Sequence, residues 1–144
     1  MKYLLKFFHL PFIEKKILFH ALYLLVTYRI LLFSTPIKDL FDQVQCLSHK
    51  ILPTPGAISP ARMARLIQIA SHLVPGSTCL SNALAGQILF AGHGHKTQLH
   101  IGVARDEHNA LEAHAWLSLN GAILMGNLPD LSRFTELPPL PTTL

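Results

Sequence analysis

The dipeptide Asn120-Gly121 constrains this chain more than any other pair of neighbours. It separates residues 111–119, where apolar and polar or aromatic side chains alternate, from the apolar run 122–125. A two-residue Asn-Gly loop between strands favours a turn with positive φ at both positions, which matches the right-handed twist of a hairpin. A register follows from that loop: Leu119 opposite Ala122, Trp116 opposite Met125, and His114 opposite Asn127. Directly opposed side chains share a face, so Asn127 is the leading candidate to orient His114. Residues 97–104 repeat the period-2 pattern, and Asp106-Glu107-His108-Asn109 is turn chemistry, so the second half of the chain reads as a small antiparallel sheet.

Before residue 92 the apolar period is that of helices. Residues 17–33 are almost all apolar, interrupted by His20 and Arg29 and preceded by Glu14-Lys15-Lys16. The spacing predicts a helix starting near Pro11 and ending before Pro36. Being apolar nearly all round, it needs cover on several sides: core packing plus partner contact is the preferred reading, and peripheral membrane contact through 11–35 is the alternative. The run is shorter than the about 20 apolar residues of a membrane span, and no small-residue cleavage site of a secretory signal comes after it. A second helix is expected over 37–52, with Leu40, Phe41, Val44 and Leu47 as its apolar stripe and Cys46 as a small buried hydrophobe. Ser59-Pro60 supplies the favoured cap and first position of a third helix through Val74, whose Arg62 and Arg65 read as a solvated face that could also meet an acidic peptide.

Cys79 opens a fourth helix. Pro75-Gly76-Ser77-Thr78 is turn chemistry, Ser77 or Thr78 can cap the helix after it, and Leu80, Ala83, Leu84, Ile88 and Leu89 fall at helical spacing until Gly92 and Gly94. A thiol in a first turn feels orphan amides and the positive end of the helix dipole, which favours thiolate. With His114 on a later strand, the pair suits a nucleophile and its general base. On that strand Glu112, His114, Trp116 and Ser118 share one face, expected to look toward the cysteine helix. Gln98, His100 and Trp116 are the candidate substrate-contacting residues. Gln98 is the candidate second oxyanion donor, His100 reads better as a satisfied structural histidine, and Trp116 as packing that shields the site.

Several classes are disfavoured. His93, His95, His100 and His114 match no metal-ligand signature, so no metal is expected, and no cofactor is called for. The net charge of +4 comes without a basic block interleaved with aromatics, which argues against nucleic acid. Two widely separated cysteines give no disulfide framework and suit a reducing cytoplasm. With 50% hydrophobic and 14% charged residues the chain suits one domain. Its parts are a hydrophobic helical region (1–35), a helical scaffold (36–76), a Cys/His core (77–136) and a Pro-rich tail (137–144) expected to be extended. The fold class is α+β, helices first and sheet after.

The order of Thr78-Cys79-Leu80, Leu99-His100-Ile101-Gly102-Val103 and Glu112-Ala113-His114-Ala115-Trp116-Leu117 resembles the transglutaminase-like, papain-related superfamily of cysteine enzymes. With Arg133-Phe134 and the start of the chain from Leu10-Pro11-Phe12, it is most similar to the lasso-peptide maturation B proteins, in their stand-alone leader-peptidase form. The resemblance implies a cytoplasmic cysteine protease that removes the leader from a lasso precursor peptide. It also implies a separate leader-recognition protein and an ATP-dependent cyclase as partners, Cys79 as nucleophile and His114 as base. The family's third position is usually an aspartate about a dozen residues past the histidine. This chain has Met125-Gly126-Asn127-Leu128-Pro129-Asp130 there, so Asn127 fits the hairpin and Asp130 fits the chemistry. An acyltransferase or amidase of the same superfamily, and a non-catalytic peptide-binding module, are the alternatives.

Overall fold

The computed structural model describes residues 6–54, 56 and 58–139. Among the described residues the long helices α1 (Phe12–Ser34), α2 (Ile37–Lys50), α3 (Pro60–Leu73) and α4 (Cys79–Gly92) precede strands β1 (Gln98–Arg105), β2 (Leu111–Leu119), β3 (Ala122–Met125) and, after a 3-10 turn at Leu131–Arg133, β4 (Thr135–Glu136). The strands form one antiparallel sheet in the order β3-β2-β1-β4. This is the α+β arrangement expected from the change of period near residue 92.

The helix ends obey their local chemistry. Pro36 precedes α2, and Ser59 caps α3 by accepting from the Arg62 amide, with Pro60 at the first helical position. At α4 the cap is Thr78, in a reciprocal box: the Ser81 amide donates to Thr78 Oγ1 at 3.2 Å and the Thr78 amide to Ser81 Oγ at 2.9 Å. Each bond satisfies an amide that the helix itself leaves without a partner, and Cys79 is thereby held in the first turn.

Helix α4 is the centre of the core. It is covered by α1, α2 and α3 on its sides and by β2 above, and Leu84, Leu89 and Phe90 are all but inaccessible. Gly86 lets the sheet approach, since a Cβ there would stand 3.0 Å from both Leu117 Cδ1 and Met125 Sδ. Helix α1 contributes Ile17, Leu18, Ala21, Leu24, Leu25 and Tyr28 to the same core and lies along α3, where Arg62 forks onto Glu14 with N–O distances of 2.9 and 2.7 Å. Arg62 is therefore a structural cation, not part of a solvated face.

Helix α2 is narrower in its burial than its stripe suggested. Leu40, Phe41 and Val44 are buried, whereas Leu47 is 45% exposed and Cys46 is exposed rather than a core hydrophobe. Cys46 lies two residues beyond Val44, about 200° around the helix, and so points away from the face that meets α4. The Pro-rich tail falls largely on residues 140–144, outside the described residues; 137–139 are exposed, and the Leu137 amide donates to Ile101 O at 2.7 Å.

The hairpin forms where expected, with Asn120 at φ 51° and Gly121 at φ 81°, and Leu119 opposite Ala122. Its register then departs from the simple extrapolation. Ser118 pairs with Ile123 but Leu117 pairs with Met125, so Leu124 is an extra residue on the edge strand. This bulge bends β3 and ends the pairing at Met125, so Asn127 does not come opposite His114.

Candidate active site

A cleft of about 570 Å³ opens between α3, the first turn of α4 and the β2–β3 end of the sheet, and both Cys79 and His114 line it. Cys79 is half-buried and unpaired in any disulfide. Its own amide belongs to the first helical turn and has no partner within the helix, which makes it a ready donor to a developing oxyanion.

His114 does not reach the cleft on the expected face. Ala115 and Leu117, the other face of β2, pack toward α4, while His114, Trp116 and Ser118 lie on the side away from its body. The imidazole meets the cleft from the sheet's margin, where Gly126 brings the chain back over Ala115 and Trp116. Its Nε2 lies 2.6 Å from Gly126 O. A carbonyl can only accept, so Nε2 carries the proton and Nδ1 is the basic nitrogen.

The group that bonds the His114 ring is thus main chain, not the side chain of Asn127 or Asp130. Asn127 lines the cleft but makes no hydrogen bond to His114. Asp130 is turned to Arg133, whose Nε donates to Asp130 Oδ2 at 2.7 Å and whose Nη2 reaches Glu112. That bond from Arg133 is the main reason the Asp130 carboxyl sits below its ordinary range, with the field of nearby His114 a lesser contribution. Arg133 in this way pins the loop after Gly126 against β2.

The candidate substrate residues separate. Trp116 lines the cleft and lies stacked between His100 and His114, with ring centroids 5.5 and 6.1 Å away. His100 has both nitrogens engaged, Nε2 with Ser118 Oγ at 2.7 Å and Nδ1 with Glu136, and does not line the cleft. Gln98 does not line the cleft. It stands opposite Ser118, whereas His114 stands opposite Gly102, four residues or about 13 Å farther along β1. The carboxamides that do line the cleft are those of Gln68, Asn82 and Asn127. Ser77 Oγ donates to Asn82 Oδ1 at 2.6 Å, which leaves the NH2 of Asn82 as its donor end.

The wall built by α3 carries Ala61, Ala64, Arg65, Gln68 and His72. These positions fall on one helical stripe of small and polar residues, a signal visible in the sequence but readable as surface until the partner of that stripe is known. The histidines do not gather: His93 Nδ1 lies 3.0 Å from Leu89 O, and among the described residues no three His, Cys, Asp or Glu side chains converge on a point where a metal ion would sit.

A thiol in the first turn of a buried helix thus shares a cleft with a strand-borne imidazole whose Nε2 proton is given to main chain. The family model of the transglutaminase-like superfamily matches residues 24–138, and the chain belongs to that superfamily. It generally includes cysteine proteases and transferases. No curated protein and no solved structure matches the chain.

Proposed function

We propose that this protein is a cytoplasmic cysteine peptidase that cleaves the leader from a lasso-peptide precursor, delivered by a separate recognition protein and succeeded by an ATP-dependent cyclase. The observation that supports the peptidase reading is the His114 ring: it lines the same cleft as Cys79 and gives Nε2–H to Gly126 O, which leaves Nδ1 as its basic nitrogen. The lasso assignment rests on the resemblance of the Cys79, His100–Val103 and His114–Trp116 phrases. The cleft itself suits an acidic leader, because Arg65 and His72 line it and, among the described residues, no carboxylate does.

His114 Nδ1 takes the thiol proton, and the Cys79 sulfur adds to the carbonyl carbon at the leader–core junction. The resulting oxyanion accepts from the Cys79 amide, with Asn82 or Gln68 as the second donor. As the C–N bond breaks, the imidazolium returns its proton to the departing core amine and a thioester to the leader remains. Water then adds with Nδ1 as base, releasing the leader carboxylate and the thiol. No hydrogen bond joins the thiol and imidazole in this structure, and catalytic pairs commonly tighten only when substrate binds.

Mass spectrometry of a lasso-type precursor incubated with the protein and its recognition partner tests this. Cleavage at one leader–core bond, lost in Cys79→Ala and in His114→Ala, is expected. Cleavage that survives Cys79→Ala overturns the mechanism. An added amine captured on the leader in place of water moves the assignment to acyl transfer.

A further inference from the structure

Helix α1 is amphipathic in its environment though not in its hydropathy. Its buried side is spent on the core, yet Phe12, Phe19, Tyr23, Val26, Ile30 and Phe33 remain 82%, 60%, 67%, 45%, 61% and 77% exposed. Their spacing of seven, four, three, four and three residues keeps them on one stripe along a 23-residue helix about 35 Å long. A contiguous apolar surface of that length on a folded domain marks an interaction site.

The charges around the stripe identify what it meets. Lys16 is exposed beside it, and Lys15 and Arg29 lie at its margin, with the Arg29 guanidinium 4.3 Å from the Phe33 ring centroid. Glu14, the only acidic residue of the helix, lies on the opposite side, bound to Arg62. The surface is therefore aromatic and aliphatic with a basic margin and no carboxylate of its own helix. A second copy would bring lysine and arginine toward lysine and arginine, whereas anionic headgroups above an acyl layer complement both the charge and the apolar stripe.

The helix is also long and apolar enough to cross a bilayer, with mean hydropathy 1.8 over its most apolar window. Crossing would require stripping Leu25, Ala21 and Ile17 from the core, where they are 0%, 0% and 2% exposed. Lying in the interface keeps the core intact. We infer that α1 seats this protein flat on an anionic lipid surface through its exposed stripe, with the remainder of the fold held above the headgroups.

Flotation of the full-length protein with vesicles of phosphatidylcholine and phosphatidylglycerol in equal parts tests this, with pure phosphatidylcholine vesicles beside them. Wild type is expected to float with the anionic vesicles and to bind neutral ones at least about tenfold less well. Phe19→Glu/Ile30→Glu, both on exposed positions, is expected to abolish flotation with an unchanged circular dichroism spectrum. Lys15→Glu/Lys16→Glu is expected to weaken flotation by about tenfold or more. Wild type that stays at the bottom of the gradient, whether monomeric or dimeric by light scattering, overturns the inference. So does flotation that survives Phe19→Glu/Ile30→Glu.

Discussion

Gly126 is where packing and chemistry meet, and Gly126→Ala separates a main-chain orienter from a side-chain one. Gly126 has φ +82°, and a Cβ there would stand 2.8 Å from Ala115 O and 2.9 Å from Trp116 Cα. A left-handed conformation costs a non-glycine residue about 1–2 kcal/mol, and the clash is with backbone, which cannot swing aside. The chain must move, and Gly126 O with it. A hydrogen bond to a charged partner contributes about 1.5–3 kcal/mol, and the imidazolium formed during reaction is such a partner. Its loss lowers the rate about ten- to 150-fold. We expect Gly126→Ala to reduce kcat/KM for precursor cleavage by that factor, measured at a temperature where circular dichroism shows it folded. Asn127→Ala and Asp130→Ala are expected to stay within about threefold of wild type, since neither side chain bonds the ring. Independently of activity, 15N NMR of the His114 ring in wild type is expected to report the Nε2–H tautomer. A loss of about a hundredfold or more in Asn127→Ala with unchanged stability, or an Nδ1–H tautomer in wild type, would refute the reasoning.

Two further outcomes are set by the packing. The Glu14 carboxyl is held below its ordinary range chiefly by the hydrogen bond from Arg62, so its stabilising effect is present above the unfolded carboxyl's pKa and is lost as pH falls through the lowered folded value. Chemical denaturation of wild type between about pH 6 and pH 3 should therefore lose on the order of 1 kcal/mol more than Glu14→Gln, an allowance that includes screening of the partly exposed guanidinium; equal losses would remove the pair from the stability account. Gly102→Ala places a Cβ 2.9 Å from both Trp116 Cζ3 and Phe134 Cβ, so the indole must leave its stack between His100 and His114. Trp116 is the chain's only tryptophan, and its fluorescence should shift to the red with a lower Tm; an unchanged spectrum would show that the stack tolerates the methyl.

Short-range chemistry decides the features that were legible in the sequence. Ser59-Pro60 and Thr78 announce helix starts because a cap acts on amides two or three residues away, and Asn120-Gly121 announces a hairpin because its φ values are local. Cys79 in a first turn and His114 on a strand were readable for the same reason. The register beyond the turn was not. It depended on a bulge at Leu124, and one inserted residue was enough to remove Asn127 from His114. Leu47 lies open because a helical stripe says which residues share a side, not how wide the covering surface is, and Cys46 lies open because it is on the opposite side from Val44.

The sequence by itself therefore determined the four long helices, the first three strands, the α+β class and the placement of Cys79 in a first turn and His114 on a strand, since each depends on neighbours within one turn of helix or one hairpin. Only the tertiary structure decided which groups surround them. The Gly126 carbonyl carries no side-chain signal at all, and Arg65 and Gln68 become a cleft wall only because α3 packs beside the start of α4. The open stripe of α1 belongs to the same class, because a helix apolar on every side does not reveal which side the rest of the chain will leave uncovered.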